Sequence, residues 1–418
     1  MVPLSYLAQY GTIDNADPYD IVLFCIQPQS LPGQVYLMTT YRIPFNKPSA
    51  VGAEMEYVQQ ALLSGHVSGD GSFTRKTHAL LEEVLGVPKV MLTTSCTHAL
   101  EMSAILLNIQ AGDEVIIPSF TFVSTVNAFV LRGAKPVFAD VRPDTLNLDE
   151  SRLEALITEK TKAIVPVHYA GVACEMDAIM EIANRHQIAV VEDNAHALFA
   201  TYKGKYLGTF GKLATQSFHE TKNFHCGEGG ALLINDPELA ERAEIIREKG
   251  TNRSRYFRGQ VDKYTWVDIG SSYLPSDMLG AFLYGQLENR EKIQGRRAAI
   301  WDTYDDKLAD WAEEHHVQTP TIPDYIEQSY HMYYILLPSL ASRSNLIEHL
   351  KSRGIYSAFH YQPLHLSDMG QQFGGKVGDC EVTEDISDRL LRLPFFYDLT
   401  EAQQMDVVQA LYDFTNWE

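Results

Sequence analysis

Short apolar runs alternate with amphipathic segments along most of the chain. The runs rich in β-branched and aliphatic residues predict strands at 89–94, 114–118, 135–140, 162–168 and 188–192. Between them, apolar residues recur at the spacing of one helix face, which predicts helices at 53–64, 74–85, 98–107, 149–158 and 176–185. Strands that alternate with helices in this way are typical of a parallel sheet covered by helices, so the predicted fold class is α/β.

The order of elements changes in the later part of the chain. Helical spacing predicts helices at 237–248, 276–311, 344–353 and 402–414, and short apolar runs predict strands at 330–337 and 356–361. This mixture is typical of a small α+β domain that follows the large one. We therefore expect a large domain at 42–290 and a smaller C-terminal domain at 291–418.

Composition and charge narrow the class of protein. The chain has 418 residues, of which 45% are hydrophobic, as in ordinary globular proteins. Its net charge of −20 disfavours nucleic acid or an anionic membrane as a partner, and we expect neither. The five cysteines have no CxxC spacing, which predicts a reducing, cytoplasmic location without disulfides or a metal site. The apolar run at 21–26 is too short to span a bilayer, and the first residues lack the order of a signal peptide.

Two segments carry most of the chemical signal. In AVVEDNAH the predicted strand delivers Asp193 at its end, and QSFHETK ends in Lys222, shortly before a glycine-rich stretch. Ligands bind at the carboxyl ends of strands in open α/β sheets, so the carboxylate and the lysine are expected at one rim. This pair suits pyridoxal phosphate (PLP), which needs an amine for a Schiff base and an anion beside its ring nitrogen. Ser217 stands at odd spacing from Lys222, so tertiary structure must bring both to one ligand.

Two further segments suit the same cofactor. The strand at 89–94 leads through Ser95, Cys96 and Thr97 into a helix, and a helix N-terminus favours a phosphate. Phe122 follows the strand at 114–118, where an aromatic ring can stack on the cofactor. The pattern alone leaves open that Phe120 and Phe122 are core residues on one face of an extended segment.

Two rival motifs fail on spacing. His219 and Glu220 begin an HExxH-like zinc-protease motif, but the second histidine position holds Asn223, and His225 is out of step. Cys96 and His98 suggest a cysteine hydrolase, but residues two apart on a helix do not face each other.

The motifs VVEDNAHA and SFHETKNFHCGEGGA resemble those of the DegT/DnrJ/EryC1/StrS family of sugar aminotransferases, from about Arg42 to the C-terminus. The resemblance implies a PLP-dependent transferase with the aspartate aminotransferase fold, which is fold type I. It implies that Lys222 is the catalytic residue and binds the cofactor covalently. The remaining cofactor-binding residues that it implies are Cys96 and Thr97 at the phosphate, Phe122 on the ring, Asp193 at the ring nitrogen, His196 near the phenolic oxygen, Ser217, and Asn252 at the phosphate of a neighbouring protomer.

The resemblance also implies partners. The expected acceptor is a nucleotide-linked ketosugar, dTDP-4-keto-6-deoxy-D-glucose, and the expected amino donor is glutamate, in a homodimer with shared active sites. The loop at 65–71 is expected near the nucleotide sugar, although the pattern alone equally fits a simple turn. Another ketosugar, aminated at C3 or carried on UDP, is the alternative substrate. A non-catalytic regulator is a further alternative, against which the intact Lys222, Asp193, Ser217 and Thr97 argue.

One member class of the family is excluded by a single residue. PLP-dependent sugar dehydratases of this family carry a histidine where this chain has Lys222. The lysine therefore favours transamination, which needs an amine both to bind the cofactor and to move a proton.

Residues 1–41 lie outside the resemblance. They contain scattered Pro, Gly and Gln without helical or strand periodicity. We expect a disordered leader, which is either a native extension or an addition upstream of Met38.

Overall fold

The computed structural model describes residues 41–418 together with the backbone of two short paired strands, β1 (Phe24–Cys25) and β2 (Tyr36–Leu37). The expectation of a disordered leader at 1–41 therefore falls almost entirely outside the described residues.

Helices and short strands alternate through the rest of the chain. The strands are β3 (Lys89–Thr93), β4 (Glu114–Pro118), β5 (Lys135–Ala139), β6 (Thr161–Ile164), β7 (Ala189–Asp193), β8 (Thr201–Tyr202), β9 (Lys205–Tyr206), β10 (Leu213–Ser217), β11 (Gly230–Ile234), β12 (Ile326–Glu327), β13 (Tyr334–Leu336) and β14 (Leu390–Arg392). The helices are α1 (Glu54–Leu63), α2 (Ser72–Leu85), α3 (Cys96–Leu106), α4 (Val123–Val130), α5 (Leu153–Leu156), α6 (Met176–His186), α7 (Ala240–Arg247), α8 (Arg253–Phe257), α9 (Asp277–Glu288), α10 (Arg290–Glu314), α11 (Leu340–Ser352), α12 (Asp368–Gln372), α13 (Glu381–Arg389) and α14 (Glu401–Tyr412).

The central sheet has the strand order β3-β11-β10-β7-β6-β4-β5 in the described part of the chain. The α/β class is confirmed, but the sheet is mixed rather than wholly parallel. Strand β11 runs antiparallel to both β10 and β3, while β10, β7, β6, β4 and β5 run parallel. The turn-rich segment 218–229 joins β10 to β11 without a crossover helix, as is usual between antiparallel neighbours.

Apolar side chains cover both faces of the sheet. On one face, Leu100 of α3 and Phe129 of α4 pack with Val115 of β4. On the other, Met176 and Ile179 of α6 pack against strands β4, β6 and β7. Because both faces are covered, the central strands read as continuous apolar runs, and their carboxyl ends are held in place.

The C-terminal part has a core of its own and shares a second one with the sheet. Trp311 and Tyr304 of α10 pack with residues of α11 and α14 in the first core. In the shared core, Phe120 and Tyr169 pack against Tyr334 of β13. The boundary expected at residue 290 stays a prediction, and α10 begins there.

Several predicted elements are shorter or broken. The helix predicted at 149–158 is a 3₁₀ turn followed by α5, and the helix predicted at 276–311 is divided at Asn289 into α9 and α10. The strand predicted at 330–337 shrinks to β13 because Tyr330 has a φ of +52°, which ends an extended run. The predicted strand at 356–361 is wrong, since this segment makes only isolated bridges, such as that between Ala358 and Arg392.

A buried carboxylate ties the sheet to the C-terminal part. Asp140 follows β5 and is 4% exposed. Its carboxylate accepts hydrogen bonds from the backbone N–H of Val382 at 3.0 Å, and from the N–H and hydroxyl of Thr383, both at 2.9 Å. Those N–H groups lie in the first turn of α13, where a helix has no internal acceptor for them.

We expect Asp140→Ala to lower the free energy of unfolding by about 2–4 kcal/mol, because it leaves buried donors without an acceptor. The measurement is thermal or urea unfolding followed by circular dichroism. The matched control is Asp144→Ala, which removes an ion pair with Arg142 at the surface, where such pairs are worth about 0–1 kcal/mol. Equal unfolding curves for the two variants would contradict the assigned role of Asp140.

Candidate active site

A cavity of about 720 Å³ opens at the carboxyl ends of β4, β7 and β10. Its floor comes from the sheet, and its outer wall includes Phe359, Tyr361 and Arg392. The structure brings these predicted site residues to its lining: Cys96, Thr97, Phe122, Asp193, His196, Ser217 and Lys222. Seven predicted residues from four separate segments therefore converge on one cavity.

Asp193 is the last residue of β7 and is buried. The Thr125 hydroxyl donates to its Oδ2 at 2.7 Å, and the Ala195 N–H donates to its Oδ1 at 3.2 Å. The hydroxyls of Thr121 and Thr125 lie 3.0 Å apart, so the Thr125 oxygen can accept from Thr121. Burial raises the pKa of Asp193, and a cation bound beside it would favour the ionised form.

Lys222 lies in the segment between β10 and β11, and its N–H donates to the carbonyl of His219 at 2.9 Å. Burial of its amine lowers the pKa of Lys222 to about 8, although Cys96 and Asp193 act in the opposite direction. A lysine amine with this pKa is partly neutral near neutral pH, and the neutral amine is the nucleophile and the base.

The N-terminus of α3 faces the cavity through Ser95, Cys96 and Thr97. Ser95 caps the helix by accepting from the N–H of His98 at 3.1 Å. Gly230 lets β11 pass against this helix start, because a Cβ there would lie 2.3–2.5 Å from backbone atoms of Ser95 and Cys96. The first N–H groups of a helix have no internal partner, so this end can hold a phosphate.

Cys96 is not a nucleophile in this site. Burial raises the pKa of its thiol, and a thiol that stays protonated does not attack substrates. The cysteine hydrolase alternative is thus disfavoured by the structure as well as by spacing.

His196 carries a buried nitrogen that the protein does not satisfy. Its Nδ1 has no hydrogen-bond partner among the described residues, and its ring stacks on His331 with centroids 4.2 Å apart. The Nδ1 of His331 lies 2.8 Å from the Oδ1 of Asn223, the residue after Lys222. Burial lowers the pKa of both His196 and His331, so both rings are neutral. A buried nitrogen without a partner is costly, and His196 lies in the lining of the cavity.

His168 and Glu192 do not belong to the cavity lining. The Glu192 carboxylate accepts from the N–H groups of Gly208 and Gly211 and from His168 Nε2 at 3.1 Å. His168 Nδ1 in turn accepts from the N–H of Cys174 at 3.1 Å. His168 is therefore a satisfied core histidine, and Asp193 alone of the acidic pair faces the cavity.

Asn252 lies away from the cavity of its own protomer. Its side-chain oxygen accepts from the N–H of Thr265 at 2.7 Å, just before α8. Its expected contact with the cofactor of a neighbouring protomer stays a prediction.

These groups fit PLP. The Lys222 amine suits the aldehyde carbon of PLP, and the Asp193 carboxylate suits its ring nitrogen. The first N–H groups of α3 suit the phosphate, and His196 suits the phenolic oxygen. The fold and site define a PLP-dependent transferase of fold type I. A model of the DegT/DnrJ/EryC1/StrS aminotransferase family matches residues 48–412, and the chain belongs to this family.

Similar proteins agree with this assignment. The chain is 36% identical over 348 residues to the uncharacterized protein MJ1066 of Methanocaldococcus jannaschii, covering 82% of this chain and 89% of that protein. It is 32% identical over 379 residues to the spore coat polysaccharide biosynthesis protein SpsC of Bacillus subtilis, covering 89% and 96%. Its structure matches the putative sugar aminotransferase Spr1654 of Streptococcus pneumoniae, apo-form, with a TM-score of 0.83 at 28% identity, covering 89% and 97%.

Spr1654 is also known in its PLP and pyridoxamine phosphate (PMP) forms. The protein described here is a PLP-dependent sugar aminotransferase. No helix among residues 41–418 is long and apolar enough to cross a membrane.

Several residues of the cavity were not predicted from the sequence, among them Thr125, His331 and Arg392. Thr125 follows Phe122 by three residues, and His331 and Arg392 come from the C-terminal part. Arg392 had a detectable signal, since it is a lone charge within the apolar run LLRLPFF. His331 had no such signal in the sequence, because only its stacking on His196 in the structure indicates a role.

The attachment of PLP to apo-protein should depend on the pKa of Lys222. Because the neutral amine attacks, we expect the rate to rise as the pH increases through about 8 and then to level off. The measurement is stopped-flow absorbance of the bound cofactor across pH, with Lys222→Ala as the control that shows no attachment. A rate that keeps rising toward 10.5, the pKa of an ordinary lysine, would contradict the assignment.

We expect Thr125→Val to weaken PLP binding by about tenfold, because a hydrogen bond to a charged group contributes about 1.5–3 kcal/mol. Absorbance titration of the apo-protein with PLP measures the dissociation constant. Thr125→Ser keeps the hydroxyl and should restore the affinity. If Thr125→Ser binds as weakly as Thr125→Val, packing rather than the hydrogen bond to Asp193 is responsible.

Proposed function

We propose that the enzyme transfers the amino group of L-glutamate to C4 of dTDP-4-keto-6-deoxy-D-glucose. The products are dTDP-4-amino-4,6-dideoxy-D-galactose and 2-oxoglutarate. The choice of sugar is supported by the resemblance of long segments, such as IPSFTFVSTVNAFVLRGAKPVFADVRPDT and IVPVHYAGVACEMD, to the dTDP-4-amino-4,6-dideoxygalactose transaminase of enterobacterial common antigen synthesis. The observation that carries the reaction class is the buried amine of Lys222 in the same cavity as Asp193.

When bound, PLP supplies an electron sink that makes the proton on the amine-bearing carbon acidic. The Lys222 amine can take that proton and return it, because its pKa of about 8 lies close to the working pH. The Asp193 carboxylate, held by Thr125, keeps a positive charge favourable at the ring nitrogen. His196 would lie near the phenolic oxygen of the bound cofactor, as the family resemblance implies, and burial lowers the pKa of its ring.

The cavity has room for a sugar beside the cofactor. Its volume of about 720 Å³ lies within the range of small-molecule sites, about 300–1,000 Å³. Aromatic side chains of Phe45, Phe122, Phe359 and Tyr361 line it, and polar groups such as His219 stand at its mouth. Apolar walls with a few polar groups suit a deoxysugar, which offers both a methyl group and hydroxyls.

A homodimer is supported by an exposed apolar surface around α8. Phe257 is 70% exposed and Trp266 is 75% exposed, and Tyr256, Tyr264 and Val267 are also exposed. Contiguous exposed aromatics mark interaction surfaces. We infer that a second copy covers this surface and that Asn252, which lies among these residues, contacts the partner's cofactor.

We further propose that the enzyme works in the cytoplasm. The described cysteines, Cys96, Cys174, Cys226 and Cys380, are all unpaired, as is usual in a reducing compartment.

The alternative is transfer to another ketosugar, at C3 or on a UDP carrier. The names of SpsC and Spr1654 indicate polysaccharide and sugar metabolism without naming a base or a carbon. A non-catalytic regulator is less well supported, because it has no need of a lysine amine with a lowered pKa.

Incubation of the PLP-loaded enzyme with glutamate and the proposed acceptor tests the function. We expect mass spectrometry and NMR to show a 4-amino sugar with galacto ring couplings. A cofactor spectrum that responds to glutamate while the sugar stays unchanged would overturn the acceptor. No response of cofactor or sugar would overturn the aminotransferase activity in favour of the regulator.

Lys222→Ala should lower turnover by about 10²–10⁴-fold or more, because it removes the base that moves the proton. Steady-state assays measure the loss, and circular dichroism checks that the variant stays folded. Lys205→Ala, which removes a lysine outside the cavity lining, is the matched control. Unchanged turnover in Lys222→Ala would contradict the mechanism.

A further inference from the structure

The hydrogen bonds around His331 determine which of its ring nitrogens carries the proton. Its Nδ1 lies 2.8 Å from the Oδ1 of Asn223. The Asn223 Nδ2 donates to the carbonyl of Ser329 at 2.6 Å, and a carbonyl can only accept, so Oδ1 is the atom that faces His331. Burial lowers the pKa of His331, and its ring is neutral. The one proton of the ring is therefore on Nδ1, and Nε2 carries none.

The Nε2 of His331 is open to the cavity. The side chain is largely buried, and what remains accessible of it belongs to the cavity lining. Nε2 forms no hydrogen bond with any group among residues 41–418, and protein atoms do not enclose it. It is thus a hydrogen-bond acceptor that a ligand can reach.

Buried polar side chains fix the backbone that carries His331. Arg297 donates to the carbonyls of Tyr330 and His331, at 2.9 and 2.6 Å, and Asn223 holds the carbonyl of Ser329. Tyr330 has a φ of +52°, which is unfavourable for a bulky residue. Such a conformation persists only where the surrounding structure imposes it, and it is frequent at functional sites.

The same segment places His331 beside the reacting groups. The Ser329 hydroxyl donates to the carbonyl of His196 at 2.5 Å, and the rings of His196 and His331 are stacked. Asn223 directly follows Lys222 in the chain, and the Lys222 amine is near enough to lower the pKa of His331. The free acceptor therefore faces the part of the cavity where the amino group is transferred.

The two substrates differ in what they offer to such an acceptor. Besides the amine that reacts, an α-amino acid such as glutamate offers carboxylates, which only accept hydrogen bonds. A ketosugar offers hydroxyls, which donate. In a 6-deoxy-4-ketosugar, the two carbons beside the ketone are C3, which carries a hydroxyl, and C5, which carries the methyl group. An unprotonated nitrogen near the reacting amine therefore suits the sugar, and the C3 hydroxyl is the donor next to the ketone.

We propose that His331 Nε2 accepts a hydrogen bond from the sugar hydroxyl on the carbon next to the ketone, which is C3 of the proposed acceptor. This inference rests on the proposed function for the sugar and the position of its ketone. His331 thereby determines specificity, because a sugar without this hydroxyl leaves Nε2 without a partner in a cavity from which water is displaced. Asn223 is a positioning residue, since its oxygen keeps the proton on Nδ1 and Nε2 free.

The test measures sugar binding without turnover. The ligand dTDP-6-deoxy-D-galactose has no ketone, and its 3-deoxy analogue lacks only the C3 hydroxyl. Isothermal titration of the PMP-loaded enzyme gives a dissociation constant for each. We expect wild type to bind the hydroxylated sugar at least about tenfold more tightly, because the analogue leaves the acceptor unpaired. His331→Phe keeps a ring that can stack on His196 but has no acceptor, and the ratio should fall below about threefold.

Two further variants separate the hydrogen bond from packing. His331→Gln places an amide oxygen near the position of Nε2 and should keep a ratio of at least about fivefold. His349→Phe is the matched control, because His349 bonds with the carbonyl of Ala410 at 2.9 Å and is not among the cavity-lining residues. Its ratio should stay within about twofold of wild type. Thermal unfolding of each variant is recorded, and His331→Leu takes the place of His331→Phe if the latter does not fold.

Three outcomes overturn the proposal. The first is equal affinity of wild type for the two sugars. The second is a ratio that His331→Phe leaves at the wild-type value, which would assign the discrimination to another residue. The third is the absence of binding of either sugar to wild type.

Formation of the amino sugar separates this proposal from the proposed function. Wild type that makes the 4-amino sugar from glutamate and the ketosugar, but binds the two titrated sugars equally, overturns the His331 proposal alone. Wild type that makes no amino sugar, but shows a binding ratio that His331→Phe abolishes, overturns the proposed function and supports the hydroxyl contact.

Discussion

Alternation along one strand determines the chemistry of this site. Glu192 and Asp193 are neighbours in β7, so their side chains point to opposite faces of the sheet. Glu192 turns inward, where backbone N–H groups of the 208–211 turn and His168 satisfy its carboxylate. A buried carboxylate is tolerable only with such partners. They fix the register of β7, and that register leaves Asp193 in the cavity.

The cavity that results is balanced in charge only when its ligands are included. Among residues 41–418, neither Asp193 nor Arg392 forms an ion pair, and His196 Nδ1 has no hydrogen-bond partner. Burial raises the pKa of Asp193 and lowers those of His196 and Lys222, so it disfavours the charged form of each of these three groups. Binding and the acquisition of charge are therefore coupled in this site.

Local patterns revealed the half of the site that the sheet supplies. Asp193, Lys222 and the α3 N-terminus each stand at a strand end or helix start, where residue type and position together indicate a role. Local sequence patterns did not predict the residues of the opposite wall. Residues at 356–361 have the composition of a strand but make only single bridges. His331 stacks on His196, which is distant in sequence, and local periodicity does not predict such a contact. Strand β11 was not among the predicted strands, and its antiparallel direction departs from the predicted parallel sheet.

Backbone hydrogen bonds join the two ends of the segment that carries Lys222. The N–H groups of Phe218 and Glu220 donate to the carbonyls of Gly229 and Gly227 at 2.8 Å, so both arms of the segment are held between two central strands. These bonds hold the backbone on both sides of Lys222, so proton transfer by its amine needs only rotation about side-chain bonds. The outer wall of the cavity, which includes Phe359, Tyr361 and Arg392, comes from the C-terminal part of the chain. Natural selection could reshape that wall for new sugars while the lysine and its proton path stay untouched.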